Sequence, residues 1–460
     1  MIKLPAINRI KFIFSVAGVF LACYILKMNF ILVFFLLSLA AYLKFRNIKN
    51  CNLLHLALLF VFGFVINYAV AIQHLPFYLM PFSLVPMLAM ILFNDLELSL
   101  VLNIASSLGF AFIAGGDLPL AVLSFISGVS SSIFILFTRR RVAIIKAGAL
   151  AGFIQAFVFF FLTSFRINAP LSYLILFFNG IVSSIIVAGI LPVFEYLFKT
   201  VTNISLLELA DFNHPLLQRL TQEAPGTYHH SLIVGNLSDA AARSVNANAL
   251  LSRIGAYYHD IGKLAKPGYF SENQDKESKH EALSPSMSKM IIVNHVKEGM
   301  ELAKKYKLNP ALIDFIQQHH GNSLVYYFYR RALEHLEDDE EIKEEGFRYP
   351  GPKPATKETA IVLLADSVEA AARGLKEPTP AKIEELVHKV VNNKFIDGQL
   401  DSCDLTLKDL EKISAVFIRI LSGIYHSRVT YPEGEKSENN HNKPAKENSH
   451  PSQKDKFANH

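Results

Sequence analysis

The chain has 460 residues, of which 51% are hydrophobic, and a formal net charge of +5. That charge hides two unlike parts: residues 1–199 carry 13 Lys+Arg and 4 Asp+Glu, whereas residues 200–460 carry 32 and 36. Only three cysteines are present, far apart and without CxxC spacing, which excludes a disulfide framework and a Cys-rich zinc site. The composition therefore predicts a basic, apolar first part followed by a mildly acidic soluble part.

The first part contains recurrent apolar runs, and a helix needs about 20 apolar residues to cross a bilayer. Runs this long and this frequent would leave a soluble protein little polar surface, so residues 1–199 are predicted to be a transmembrane domain of about eight helices. The eight runs are Ile10–Leu26, Phe30–Leu43, Leu53–Ile72, Leu75–Phe93, Leu98–Ile113, Leu118–Phe137, Val142–Phe165 and Ser172–Phe198.

Basic residues near the ends of these runs predict the topology. With eight crossings and the N-terminus inside, eleven Lys or Arg residues fall on the inner side and only Lys27 and Arg166 on the outer side. We therefore expect a multi-pass membrane protein with both termini in the cytoplasm. No charged cluster lies midspan, which disfavours a transporter. The eleven are Lys3, Arg9, Lys11, Lys44, Arg46, Lys49, Arg139, Arg140, Arg141, Lys146 and Lys199.

The second part has helical periodicity and no convincing alternating strands, so the whole chain is predicted to be all-α. Residues 200–213 are predicted to form a linker helix, and residues 214–430 a cytosolic helical domain. Residues 431–460 are polar, and we expect a disordered tail there.

Histidine and aspartate recur in this second part in a pattern typical of metal sites. His259-Asp260 is followed by Gly262-Lys263, then by His295, the pair His319-His320, and Asp366; His229-His230 lies upstream. Neutral imidazoles and carboxylates that converge on one point can hold two cations, and bound cations lower the pKa of water for hydrolysis. Because the ligand types are His and Asp without Cys, Mn or Fe fit better than a structural zinc.

Around these residues the sequence resembles a known family. The stretches 224–231 (Ala-Pro-Gly-Thr-Tyr-His-His-Ser) and 259–263 (His-Asp-Ile-Gly-Lys) are similar to the HD phosphohydrolase superfamily, as are the signatures at 266–274, 318–321 and 347–354. More narrowly, the chain resembles the bacterial seven-transmembrane HD proteins, which are cyclic di-AMP phosphodiesterases. The motif match covers roughly 200–430, and the membrane part matches by layout only. The resemblance also implies the bacterial inner (cytoplasmic) membrane. We expect the family's usual extracellular domain to be lacking, since only Lys27-Met28-Asn29 separates the first two runs.

The resemblance implies two metal positions and a catalytic pair. His230 matches the family position better than His229, because it directly precedes Ser231. Asp260 is implied as the bridge between the metals, and Lys263 as a catalytic residue that steadies a phosphate or the attacking hydroxide. One metal would be held by His230, His259, Asp260 and Asp366, and the other by Asp260, His295, His319 and His320.

Five further residues are expected to bind substrate. His280 matches a recurring family histidine, and Tyr326 can stack on adenine as aromatic side chains do on bases. Arg330, Lys353 and Arg373 are candidate contacts to phosphate or base.

The implied reaction is hydrolysis of cyclic di-AMP to linear 5′-pApA. The expected partners are this cyclic dinucleotide, the lipid bilayer and a second copy of the chain as a homodimer, with no nucleic acid polymer. Two alternatives stay open: hydrolysis of cyclic di-GMP or another nucleotide, and a membrane receptor that binds nucleotide without catalysis. The HD-GYP relatives that cleave cyclic di-GMP carry Gly-Tyr-Pro after the His-His pair, where this chain has Gly321-Asn322-Ser323.

Overall fold

The computed structural model describes residues 53–136, 140–163, 170–274, 278–334 and 342–425. The first two apolar runs, the short segment between them and the polar tail lie outside the described residues. Within the described ranges the chain is helical and forms no β-strand, only one isolated antiparallel bridge between Leu324 and Arg348. The all-helical prediction is therefore confirmed.

The membrane part contains six described helices. Five of them, α1 and α3–α6, are long and apolar enough to cross a membrane, whereas α2 has only ten residues. The helices are α1 (Leu53–Ile72), α2 (Leu84–Phe93), α3 (Leu96–Ile113), α4 (Leu118–Leu136), α5 (Arg141–Leu162) and α6 (Pro170–Phe198).

The fourth apolar run differs from its prediction as a single spanning helix. Leu75–Phe93 is divided into a 3₁₀ turn at Phe77–Leu79 and the short helix α2, with Pro76 and Pro81 flanking the turn. Proline supplies no amide hydrogen to continue a helix. All of α2 except Phe93 is buried against its neighbours, so this apolar segment packs inside the bundle.

Polar side chains hold this segment in place. Asn179 of α6 donates to the carbonyl oxygens of Tyr78 (2.9 Å) and Met80 (2.6 Å). Ser83, at the start of α2, lies 2.6 Å from the hydroxyl of Ser127 in α4. Such bonds stabilise helix association where apolar packing against lipid gives little advantage. The buried polar residues of the bundle therefore serve packing.

Helices α5 and α6 approach each other closely over small residues. A Cβ atom at Gly148 would overlap the carbonyl oxygen of Gly180, and each glycine faces the backbone of the opposite helix. Small residues at such crossings let two membrane helices pack backbone against backbone.

A seven-residue helix, α7 (Asn203–Leu209), connects the two parts of the chain. Thr202 and Ser205 form a capping box at its start. Glu208 on this helix forms a bidentate ion pair with Arg141, the first residue of α5, at 2.5 and 2.9 Å. Helix α7 therefore contacts the membrane bundle at the basic end of α5.

The second part contains nine helices among the described residues, and most begin at a side-chain cap. Asn248, Ser284, Asn309, Thr356 and Thr379 each accept a hydrogen bond from a backbone amide of the first helical turn. The helices are α8 (Pro215–Glu223), α9 (Pro225–Ser244), α10 (Ala249–Tyr258), α11 (Pro285–Lys305), α12 (Pro310–Gln318), α13 (Tyr326–Glu334), α14 (Lys357–Arg373), α15 (Pro380–Ile396) and α16 (Leu407–Ile424).

Helix α9 lies at the centre of this part, where it packs against α10, α14 and α16. The surrounding core is apolar and includes the fully buried Leu237, Ile254 and Phe417. Tyr258, the last residue of α10, is also fully buried, and its hydroxyl donates to the carbonyl oxygen of Leu209 at 2.8 Å. The connecting helix α7 is thereby attached to the end of α10.

Replacing Tyr258 by Phe should remove this hydrogen bond while preserving the ring. We expect a loss of about 1–2 kcal/mol, because the Leu209 carbonyl keeps its desolvation penalty without a donor. Thermal unfolding of the detergent-solubilised full chain measures the change. The exposed Tyr327→Phe is the matched control; equal unfolding midpoints for the two variants would show that the bond contributes nothing.

Candidate metal centre

The fold brings seven distant His and Asp residues to one place. His230 lies in the middle of α9, and His259 and Asp260 follow the last residue of α10. The remaining four come from α11, from the end of α12 and from α14: His295, His319, His320 and Asp366. Their ligand atoms form two groups, each within 4.8 Å, that share Asp260.

The two oxygens of Asp260 face different histidines. Its Oδ2 lies 3.1 Å from His259 Nε2 and 3.7 Å from His230 Nε2. Its Oδ1 lies 3.3 Å from His295 Nε2 and 3.6 Å from His319 Nε2. One carboxylate is thus placed between two groups of nitrogen donors, as a bridging ligand requires.

Asp366 completes the group that contains His230. Its Oδ1 lies 2.9 Å from His230 Nε2 and 3.8 Å from His259 Nε2. Its Oδ2 lies 3.6 Å from Nδ1 of His320, which belongs to the other group. All seven residues are buried except His320, which is half-buried. The cluster is therefore closed on most sides and reached past His320.

Backbone carbonyls fix the tautomers of three of these histidines. His259 Nδ1 lies 2.6 Å from the carbonyl oxygen of Ala256, His295 Nδ1 is bonded to that of Ile292, and His319 Nδ1 lies 2.9 Å from that of Ile316. A carbonyl only accepts, so Nδ1 must donate in each case. Each Nε2 then points into the cluster and offers a lone pair there whenever the ring is neutral.

Several buried atoms in the cluster have no hydrogen-bond partner. His259 Nε2 is 3.1 Å from Asp260 Oδ2, yet the pair is not aligned as a hydrogen bond, and Asp260 Oδ1 has no donor. The Nε2 atoms of His295 and His319 lie 3.2 Å apart, with a lone pair on each. Acceptors that face each other without a donor fit a cation between them, and imidazole and carboxylate are suitable ligands for divalent metals.

The pKa values of the histidines depend on how close each one lies to a carboxylate. Burial opposes a charge on His259, but Asp260 and Asp366 raise its pKa to about 10. Burial lowers the pKa of His319 to about 4 and that of His320 well below its usual range. The group around Asp366 therefore favours positive charge, whereas His319 and His320 remain neutral donors at physiological pH.

Lys263 is held between two carboxylates. Its Nζ donates to Asp260 Oδ2 at 2.8 Å and to Glu272 Oε1 at 2.6 Å. Burial opposes the charge on Lys263, but the two carboxylates raise its pKa above the usual value. Glu272 also accepts a hydrogen bond from Thr227 at 3.1 Å. Lys263 therefore places a fixed positive charge beside the bridging Asp260.

Three residues near the metal ligands were missed in the sequence. Glu369 is bonded to His230 Nδ1, Glu272 holds Lys263, and the Tyr349 ring stacks on His320 with centroids 4.2 Å apart. Glu369 could have been found, because it lies one helical turn after Asp366 on the same face. Glu272 and Tyr349 lie within the family signatures at 266–274 and 347–354, and that resemblance is the signal that could have indicated them, since neither segment has a helical period.

The five predicted substrate contacts lie in different surroundings. His280 is buried and donates from Nε2 to the Tyr269 carbonyl at 2.8 Å, and Arg373 pairs with Glu369 at 2.8 Å. Lys353 pairs with Asp401 at 3.0 Å. Tyr326 and Arg330 are exposed on α13. None of the five belongs to the two metal-binding groups, and their substrate roles stay predictions.

Gly262 places the Asp260 turn against α11. The 3₁₀ turn Ile261–Ala265 packs on α11, and a Cβ atom at Gly262 would overlap the carbonyl oxygen of His295. It would also crowd the backbone nitrogen of Gly299. Only glycine permits this contact, which brings Asp260 and His295 together.

Fold and site together define a metal-centre HD domain joined to a helical membrane bundle. The family described as "HD domain" matches residues 227–371, and the family described as "7TM receptor with intracellular HD hydrolase" matches residues 13–202. The chain belongs to this family of seven-transmembrane HD proteins.

Curated relatives agree with this assignment. The "Cyclic-di-AMP phosphodiesterase PgpH" of Bacillus subtilis is 41% identical over 372 residues, which are 78% of this chain and 52% of the relative. The protein of the same name from Listeria monocytogenes is 39% identical over 77% of this chain and 50% of its own length. The chain thus spans about half the length of these relatives. A solved structure of the L. monocytogenes PgpH HD domain in complex with cyclic di-AMP is 46% identical to this chain in sequence. The match covers 47% of this chain and 100% of the solved chain, with a TM-score of 0.45.

Replacing Gly262 by Ala should destabilise the protein by about 1–3 kcal/mol, the range for overpacking in a tight interior. The added methyl group must separate the Asp260 turn from α11, so Mn²⁺ affinity should fall as well. Thermal unfolding with and without Mn²⁺ measures both effects. Gly346→Ala is the control, since nothing lies within 4 Å of its added Cβ; a Gly262→Ala variant as stable as this control would contradict the close contact.

Proposed function

We propose that the protein is a membrane-anchored, metal-dependent phosphodiesterase that hydrolyses cyclic di-AMP to linear 5′-pApA. The observation that carries the proposal is the Asp260 carboxylate, which directs one oxygen to each of two groups of imidazole nitrogens. The substrate is supported by two curated relatives, about 40% identical, that are named cyclic di-AMP phosphodiesterases.

The donor set supports two divalent cations. His230, His259, Asp260 and Asp366 would hold one of them; Asp260, His295, His319 and His320 would hold the other. Nitrogen and oxygen donors without sulfur favour Mn or Fe over softer ions. When bound, such a pair activates water and offsets the charge of a phosphodiester.

The chain's own residues prepare the site for an anionic substrate. Burial opposes a charge on Asp260, but His259 and Lys263 hold its pKa well below the usual range, and Lys263, which donates to Oδ2, adds positive charge beside the centre. Glu272 fixes the Lys263 ammonium from the other side, so no side-chain reorganisation is needed when a phosphate arrives. The half-buried His320, stacked on Tyr349, is the most exposed of the seven proposed ligands, so substrate would approach the centre on this side.

The alternative functions are less well supported. A nucleotide receptor without catalysis does not need a complete ligand set, yet all seven ligand groups converge here. Cyclic di-GMP hydrolysis is disfavoured by Gly321-Asn322-Ser323, which stands where the HD-GYP relatives carry Gly-Tyr-Pro.

We further propose that the protein lies in the bacterial inner membrane with the HD domain in the cytoplasm. Arg141, at the basic end of α5, pairs with Glu208 of α7, so this basic end lies on the same side as the metal centre. Basic helix ends remain on the cytoplasmic side of membranes, which supports this orientation.

Asp260→Ala should reduce turnover by about a thousandfold or more, because both cations lose their shared ligand and several kcal/mol of transition-state stabilisation. The full chain in detergent, supplied with Mn²⁺ and either cyclic di-AMP or cyclic di-GMP, is assayed for linear product by chromatography. Exposed Asp404→Ala is the control. Normal turnover in Asp260→Ala would exclude this centre; product from cyclic di-GMP alone would exclude the proposed substrate.

Chelation should abolish turnover and also lower the thermal unfolding midpoint. A cation present at 100 times its Kd stabilises the folded state by about 2.7 kcal/mol, and removing it loses that contribution. Addition of Mn²⁺ or Fe²⁺ should restore both properties, whereas Mg²⁺ should restore them poorly because the donors are mostly imidazole. Full turnover after exhaustive chelation would contradict metal dependence.

A further inference from the structure

His230 is held differently from three other histidines of the cluster. His259, His295 and His319 each donate from Nδ1 to the backbone carbonyl three residues earlier in the chain. His230 instead directs Nδ1 at a carboxylate oxygen, Oε2 of Glu369.

Glu369 is itself fixed in position. It is 2% exposed, and the guanidinium of Arg373 donates to the same Oε2 at 2.8 Å. Arg373 Nη2 also lies 3.2 Å from His230 Nδ1. A guanidinium nitrogen can only donate, and an ionised carboxylate can only accept. Both nitrogens therefore donate to Glu369 and not to each other. His230 Nδ1 therefore carries a proton, and its Nε2 faces Asp366 and Asp260, where a bound cation would replace the proton that Nε2 shares with Asp366 Oδ1 at 2.9 Å.

This arrangement makes the two metal positions electrostatically unequal. The group of His230 contains Asp366 and the shared Asp260, with the charge of Glu369 behind the imidazole. The group of His295 and His319 has only the shared Asp260 as a carboxylate. A carboxylate behind a ligating imidazole fixes its orientation and increases its basicity.

We propose that Glu369 is a positioning residue that orients His230 for the first cation and makes that position the tighter of the two. Arg373 acts through Glu369 by fixing its carboxylate. The inference rests on the proposed metal centre and deepens it, since it assigns an order of affinity and a residue responsible for that order.

The test is a Mn²⁺ titration of the metal-free full chain in detergent micelles. Binding is measured by competition with a fluorescent chelator and by electron paramagnetic resonance of the bound Mn²⁺. We expect two binding steps in the wild type. Glu369→Gln, which keeps an acceptor oxygen but loses the charge, should weaken the tighter step about 10-fold. Glu369→Leu removes the acceptor and should weaken it about 100-fold. The weaker step should not change, and exposed Glu385→Gln is the matched control.

His230→Ala distinguishes failure of the proposed metal centre from failure of the role proposed for Glu369. If this variant binds Mn²⁺ like the wild type, both the metal centre and the inference are overturned. If it loses the tighter step while both Glu369 variants bind normally, the centre stands and only the inference is overturned. Unfolding of the metal-free proteins completes the test: a lower midpoint in Glu369→Leu, with unchanged binding in Glu369→Gln, would show a purely structural role and would also overturn it.

Discussion

The carboxylate of Asp260 is the constraint around which the second part of the chain is organised. To bridge, it must be buried, ionised and aimed in two directions at once, and each requirement is met by a different element. The end of α10 places it beside His259, α11 brings His295 to its other oxygen, and Lys263 keeps it charged. Helix α9 supplies His230 and packs against both α10 and α14, which carries Asp366.

Burying this many charges is costly unless each one is compensated. Asp260, Asp366 and Glu369 are nearly inaccessible, and each is paired with a histidine, a lysine or an arginine. The pairs continue outward, from Asp366 through His230 and Glu369 to Arg373 at the surface-facing side of α14. The polar network thus meets solvent at Arg373 and at the half-buried His320 and is otherwise enclosed by apolar core, a combination that favours a single arrangement of its members.

The seven candidate metal ligands could be singled out in the sequence because His259-Asp260 stands beside Gly262-Lys263 and further His and Asp residues follow, and the fold brings all seven together. The apolar runs that form α1 and α3–α6 were equally visible. What could not be predicted depends on tertiary packing. The segment 75–93 is as apolar as a spanning helix, and only its burial against Ser127 and Asn179 distinguishes it. Arg373 is a candidate substrate contact from the sequence alone, and only the fold shows that it pairs with Glu369 at 2.8 Å.

Gly262 determines more than a local contact. The turn that carries Asp260 contacts the main chain of α11 at His295 and Gly299. The distance between the turn and α11 is therefore the distance at which two backbones touch. The spacing between Asp260 and His295, and with it the spacing of the two candidate metal positions, is therefore dictated by contact of main chain with main chain, which a change of side-chain size at the ligands themselves would leave in place.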